Sequence, residues 1–133
     1  MAAQTGEEDE PKLLAGLKSV DIDGEGIFKY VLIEAYETTS DGKEHGKYLV
    51  RGYKRAEYHA DIYEEVEEEQ VRTIKGLDCQ CLGGGRIIHE PGKKYLKVYG
   101  YSMGFGKADH TKAVKELKLV YPDYNVEWSD EGY

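Results

Sequence analysis

The sequence is short of several things that would announce a function directly. It has only two cysteines, Cys79 and Cys81. On a strand, a spacing of two points both thiols to the same face, a strained geometry for a bridge between them. One C-x-C also lacks the four spaced ligands of a zinc site. Neither cysteine opens the C-x5-R loop of cysteine phosphatases. Two buried, reduced thiols are expected instead. No apolar run reaches the roughly eighteen residues of a membrane helix. The acidic N-terminus lacks the apolar centre of a signal peptide. A cytoplasmic protein without a membrane partner is therefore expected. Excess positive charge is missing too: the net charge is -8 and the pI about 5.0, which excludes a general nucleic-acid binder. Gly83-Gly84-Gly85-Arg86 does not fit the spacing G-x-x-x-x-G-K-[ST], so it is not a P-loop. Asp21, Asp23, Glu25 and Gly26 are spaced like the start of a calcium loop. The twelfth position, which must carry a bidentate glutamate, is Leu32. No metal and no cofactor is expected.

What is present reads as one domain, since 133 residues bury one real core but not two. Residues 1–15 mix small, acidic and proline residues and predict a flexible acidic tail, leaving 16–133 as the domain. Residues 19–23 predict a short strand broken at Gly24-Glu25-Gly26. Residues 27–36 are apolar on both faces, the pattern of a central strand in a covered sheet. Lys29 shares a face there with Val31 and Ile33, so it either snorkels to the edge or meets a buried anion. After a polar turn over 38–46, residues 47–53 predict a strand and 56–75 a helix, closed by Gly76. Residues 77–82 predict another strand, and the three glycines after it allow a ligand or another chain segment to approach closely. Residues 87–89 and 95–101 predict a hairpin around a type II turn at Pro91-Gly92. Residues 109–121 predict a second helix, capped by Asp109 or Thr111 and stopped by Pro122, and 125–129 a last strand. His45 and His89 read as surface residues, and His110 lies near the cap of the second helix. The expected fold class is α/β of the α+β type: a single domain with a mixed, largely antiparallel sheet of six to seven strands and two packed helices.

The stretch of residues 51–63 joins a strand end to a helix start, with His59 at the junction and Arg51, Lys54 and Arg55 before it. A helix N-terminus offers unpaired N–H groups and a positive dipole end, both suited to an anion. Asp61 in the first turn supplies favourable helix-end charge. Further along, Tyr99-Gly-Tyr-Ser-Met-Gly-Phe-Gly106 can turn successive N–H groups toward an anion as a nest. Alone, either stretch also reads as an ordinary cap or connecting loop.

Taken together, three segments carry more. Tyr58-His-Ala-Asp-Ile-Tyr63, Cys81-Leu-Gly-Gly-Gly-Arg-Ile87 and Tyr99-Gly-Tyr-Ser-Met-Gly104 resemble the motifs of the protein phosphohistidine phosphatase (Janus) family. Val20-Asp-Ile-Asp, Phe28-Lys-Tyr-Val-Leu, Val50-Arg-Gly-Tyr-Lys and Tyr121-Pro-Asp-Tyr do so as well, over roughly residues 20–133. The resemblance implies a metal-independent enzyme, without cofactor, that removes phosphate from phosphohistidine in proteins. By this similarity His59 is the catalytic histidine, as general base or nucleophile. Lys29 binds the phosphoryl group, and Ser102, Met103 and Gly104 cradle it. Arg51, Ala60 and Arg86 lie around the site. The family often has alanine at the position of Gly104. The expected partners are phosphohistidine-containing proteins, and a monomer is expected. Two rivals share the pocket: a non-catalytic phospho-binding Janus-type protein, and a hydrolase of other phosphoramidates such as phospholysine.

Overall fold

A computed structural model describes residues 10–130. Its centre is the strand that the apolar pattern singles out. Six strands occur in chain order: β1 (Val20–Ile22), β2 (Gly26–Thr38), β3 (Glu44–Gly52), β4 (Leu77–Glu90), β5 (Tyr95–Tyr99) and β6 (Asn125–Trp128). They form one sheet in the order β1-β3-β2-β4-β5-β6, parallel at both outer pairs and antiparallel between. The helices are α1 (Lys12–Ala15), α2 (His59–Val66), continued by a π-helical turn at Glu67–Val71, and α3 (His110–Val120). The α+β reading holds, with six strands and two longer helices.

Because side chains alternate along a strand, β2 feeds two cores. Val31, Ile33 and Ala35 meet Leu49, Ile62 and Val66 under α2. Phe28, Tyr30 and Leu32 meet Val50, Ile87, Leu96 and Leu117 under α3. Burying one such side chain contributes about 1.5–3 kcal/mol, so these two layers dominate the stability.

Four expectations about the elements change. The part of the expected tail within the described residues is docked: α1 is helical and Leu14 is buried, whereas residues 1–9 lie outside the description. Both helix ends are satisfied from the sheet. Glu37 Oε1 accepts from the Leu13 and Leu14 N–H groups at 3.1 Å, and Lys47 Nζ donates to the carbonyls of Leu14 and Leu17. Second, the helix expected over 56–75 is α-helical only for 59–66. Its π turn seats Val71 in the core and brings Gln70 to Arg51. Third, the strand expected over 77–82 does not stop there: β4 runs unbroken through Gly83–Gly85, with a bulge where the register passes from Leu32↔Gly83 to Ile33↔Cys81. Fourth, Pro91–Lys93 is a 3-10 turn, not type II, and the left-handed residue is Lys94, at φ 49°.

His89 is buried, not superficial. Its Nδ1–H donates to the Asp23 carbonyl at 2.9 Å, and its ring packs against Tyr121 and Tyr124. It thereby ties the turn before β2 to the C-terminal segment.

Candidate active site

Where α2 begins, the sheet and the 102–106 turn enclose a cavity of about 370 Å³. Lys29, Tyr58, His59, Ala60, Ser102, Met103, Gly104 and Phe105 line it. The fold therefore gathers Lys29, His59, Ala60, Ser102, Met103 and Gly104 from three distant parts of the chain.

His59 is the first residue of α2, and Tyr58 before it is extended, at φ -128° and ψ 155°. The Tyr58 N–H is taken by Asp61 Oδ2 at 2.9 Å, so Asp61 closes the helix start and does not hold the imidazole. The His59 ring, largely buried, lies on β4 with Nε2 2.9 Å from the Gly85 carbonyl. A carbonyl oxygen can only accept, so Nε2 carries the hydrogen and neutral His59 keeps a bare lone pair on Nδ1. Nδ1 makes no hydrogen bond among the described residues. Burial holds the His59 pKa below its ordinary value, and the charges of Lys29 and Arg86 push the same way, against the Gly85 hydrogen bond. The neutral base thus persists at physiological pH.

The close approach of His59 depends on glycine. A Cβ at Gly84 would lie 2.7 Å from His59 Cδ2, 2.8 Å from the Tyr30 oxygen and 3.1 Å from Ser102 Cβ. One at Gly85 would lie 2.4 Å from the Tyr99 oxygen. No larger residue fits without moving the site.

Ser102 is buried, and its Oγ accepts from the Phe105 N–H at 3.1 Å. Its backbone pairs with Gly106 in both directions, at 3.1 and 2.8 Å. The serine thus shapes the turn. The N–H groups of Met103 and Gly104 make no hydrogen bond among the described residues, and Met103 is 89 % exposed at the rim. Phe105 packs edge-on against Tyr63, pinning the turn to α2. A Cβ at Gly104 would meet nothing within 4 Å, so glycine here costs no contact relative to alanine.

Lys29 faces the cavity from β2, and Arg86 is its cross-strand partner on β4. Arg86 does not line the cavity but lies close enough to act on His59 electrostatically. Arg51 is not brought to the site. It is 1 % exposed and donates to Gln70 Oε1 at 3.0 Å, to the Val50 carbonyl at 3.1 Å and to the Lys18 carbonyl at 2.8 Å. That makes it a clamp between β3, the π turn after α2 and the segment before β1. His110 is also elsewhere: its Nε2–H donates to the Gly100 carbonyl at 2.8 Å, and its Nδ1 accepts from the Tyr30 hydroxyl at 2.6 Å. Both cysteines are free thiols, and burial raises both pKa values, Cys81 to about 11. Neither is a thiolate near neutral pH. Sequence reasoning missed Tyr58 and Phe105 as cavity walls and Gly84 and Gly85 as the support of His59. Tyr58, Gly84 and Gly85 stand inside the family motifs and Phe105 directly follows one, but aromatic or missing side chains announce no chemistry.

A buried imidazole, a lysine and the tight 102–106 turn thus meet at one cavity of a small α+β domain. Residues 14–125 match the model of the Janus/Ocnus family, and the chain belongs to that family. It is 52% identical over 122 residues to the 14 kDa phosphohistidine phosphatase of Sus scrofa, covering 90% of this chain and 95% of that protein. The Homo sapiens protein of that name is 48% identical over 122 residues, covering 90% and 96%. Sex-regulated protein janus-A of Drosophila pseudoobscura pseudoobscura is 56% identical over 123 residues, covering 90% and 80%.

Proposed function

We propose that the protein is a metal-independent phosphatase that hydrolyses the phosphorus–nitrogen bond of phosphohistidine in proteins. The observation that carries this reading is the tautomer of His59: with Nε2–H committed to Gly85, Nδ1 is left as a base beside Lys29. A phosphoramidate needs little else. Once its imidazole is protonated the leaving group is neutral, and the remaining work is positioning and charge neutralisation. Lys29 supplies the charge and the Met103 and Gly104 N–H groups fixed dipoles, with those at the start of α2. As general base, His59 Nδ1 takes a proton from water while the water oxygen bonds phosphorus and the substrate imidazole departs with a proton. As nucleophile, Nδ1 bonds phosphorus while the substrate P–N bond breaks and its protonated imidazole leaves as the neutral ring, and water cleaves the phosphoryl-His59 in a second step. The protein acts in the cytoplasm as a monomer, on phosphohistidine-bearing proteins rather than nucleic acid or membrane.

Two relatives at 52% and 48% identity bear the name phosphohistidine phosphatase, which supports the reading. Others are named janus-A, a name that carries no activity, and this favours one second reading: a module that binds phosphorylated partners without turnover. Turnover of a phosphohistidine peptide in excess chelator decides between them. Wild type is expected to release phosphate and His59→Ala to bind without release; an inert wild type overturns the enzyme. Phospholysine, assayed beside it, tests the wider phosphoramidate range. Radiolabel trapped on His59 identifies direct attack.

A further inference from the structure

The two faces of the sheet are covered unequally. Beneath α3 and the C-terminal segment, Phe28, Ile87, His89, Leu96 and Val98 are all buried. On the other face α2 covers Val31, Ile33 and Ala35, and the far half carries no helix among the described residues. There Ile27 is 57 % exposed, and Ile88, Tyr95, Lys97 and Tyr99 are half-buried, in alternation with the core residues. None of the five belongs to either hydrophobic cluster.

Strand register sets this bare half in rows. Lys29, Arg86 and Tyr99 form the first, Ile27, Ile88, Lys97 and Glu127 the second, and Glu90, Tyr95 and Asn125 the third. Rows on one face lie about 7 Å apart. The first begins at the cavity wall, because Lys29 is also a lining residue. The surface is therefore continuous with the pocket, not a separate patch. Its first two rows carry Lys29, Arg86 and Lys97 against one carboxylate, Glu127, in a protein of net charge -8. Lys97 is in no ion pair among the described residues; its Nζ lies 5.9 Å over the Tyr99 ring. The adjacent Glu127 is spent on the Tyr95 hydroxyl and Asn125.

A phosphohistidine that reaches the pocket brings its own backbone to within one side-chain length of the mouth. The neighbouring surface of its protein must then lie on whatever adjoins Lys29. Tyrosines set among exposed apolar side chains are the composition of a desolvating interface, and Lys97 beside them sets the charge of the partner that fits. We propose that this bare half-face is the docking platform for the protein substrate, which is apolar opposite Ile27, Ile88 and Tyr95 and acidic opposite Lys97. The proposal rests on the phosphohistidine phosphatase reading and adds the form of the substrate: a folded surface, not only a phosphorylated side chain.

The test uses two substrates, a phosphohistidine-bearing protein and inorganic phosphoramidate, with Ile27→Asp, Lys97→Glu and their combination. The double variant is expected to lose about tenfold or more in kcat/KM on the protein, mostly through KM. On phosphoramidate it keeps wild-type turnover. Lys97→Gln should lose a smaller factor and flatten the salt dependence on the protein substrate alone. Equal losses on both substrates would overturn the platform, because the damage would lie in the pocket or the fold. So would full activity on both. A wild-type dimer that the double variant dissociates would assign the face to a second copy of the chain instead. If wild type turns over neither substrate, the phosphatase reading fails, and the platform with it.

Discussion

His59 and His110 are built alike and end up chemically opposite. Each is the first residue of a helix, each ring is buried, and each donates Nε2–H to a glycine carbonyl, Gly85 in one case and Gly100 in the other. Burial lowers both pKa values. They even press on neighbouring glycines of β4, since a Cβ at Gly84 would meet His59 and one at Gly85 would meet His110 Cε1 at 2.8 Å. Only the second nitrogen differs. On His110 it is closed by the Tyr30 hydroxyl; on His59 it is left to the cavity. A histidine becomes a candidate base through what is absent from its second nitrogen, more than through its helix position.

The comparison breaks or sharpens under substitution. The largest effect is expected for His59→Ala, which should lower kcat by about 10²–10⁴-fold, the range for a lost general base, while stability falls only by the lost Gly85 hydrogen bond, about 0.5–1.5 kcal/mol. Next comes Gly84→Ala. Its methyl group would displace His59 and Ser102, and misplacement on this scale costs up to about 10²-fold in kcat/KM. An active Gly84→Ala would mean that the ring position matters less than its tautomer.

His110→Ala should do the reverse of His59→Ala. It strands the buried Tyr30 hydroxyl and the Gly100 carbonyl, at a cost of about 1–3 kcal/mol in chemical denaturation. The protein that remains folded should keep its pH profile. A folded but inactive His110→Ala would erase the distinction between the two histidines.

pH offers a quieter test. The active form is neutral His59, so turnover should fall as pH drops through its pKa, which lies below the ordinary 6.5. Lys29→Ala removes one of the causes of that depression and should move the acid limb to higher pH. Stability has the same sign. Both histidines have depressed folded pKa values, so their contribution is present above about pH 6.5 and is lost as pH falls through the folded values, while the unfolded chain takes up protons. The smallest effect belongs to Gly104→Ala. The site is open to a methyl group, so activity should be unchanged and stability raised by at most about 0.4–1 kcal/mol.

Much of the fold is legible in the sequence because periodicity reports burial. β2 is apolar on both sides and is central, and the repeat in 110–120 marks the face of α3 that is buried. The errors arise where distant partners decide. Gly83–Gly85 has no side chain to report a strand, yet pairing with Leu32, Val31 and Tyr30 holds it in one. Residues 12–15 look like tail because Glu37 and Lys47, which satisfy the helix ends, lie more than twenty residues away. Arg51 stands among candidate site cations in sequence, but Lys18 and Gln70 turn it into a buried clamp. His89 looks superficial beside a turn until Tyr121 and Tyr124 close over it.

By itself the sequence determined the class of the domain, its central strand and the residue types that gather at the pocket, because those follow from local pattern and from motifs preserved as strings. Only the tertiary structure decided which histidine keeps an open nitrogen and which arginine stays out of the site. It also decided which half of the sheet is left bare beside Lys29. Those outcomes depend on single hydrogen bonds between residues far apart in the chain, such as Tyr30 with His110 and His59 with Gly85. A hydrogen bond of that kind has no period for a sequence to display.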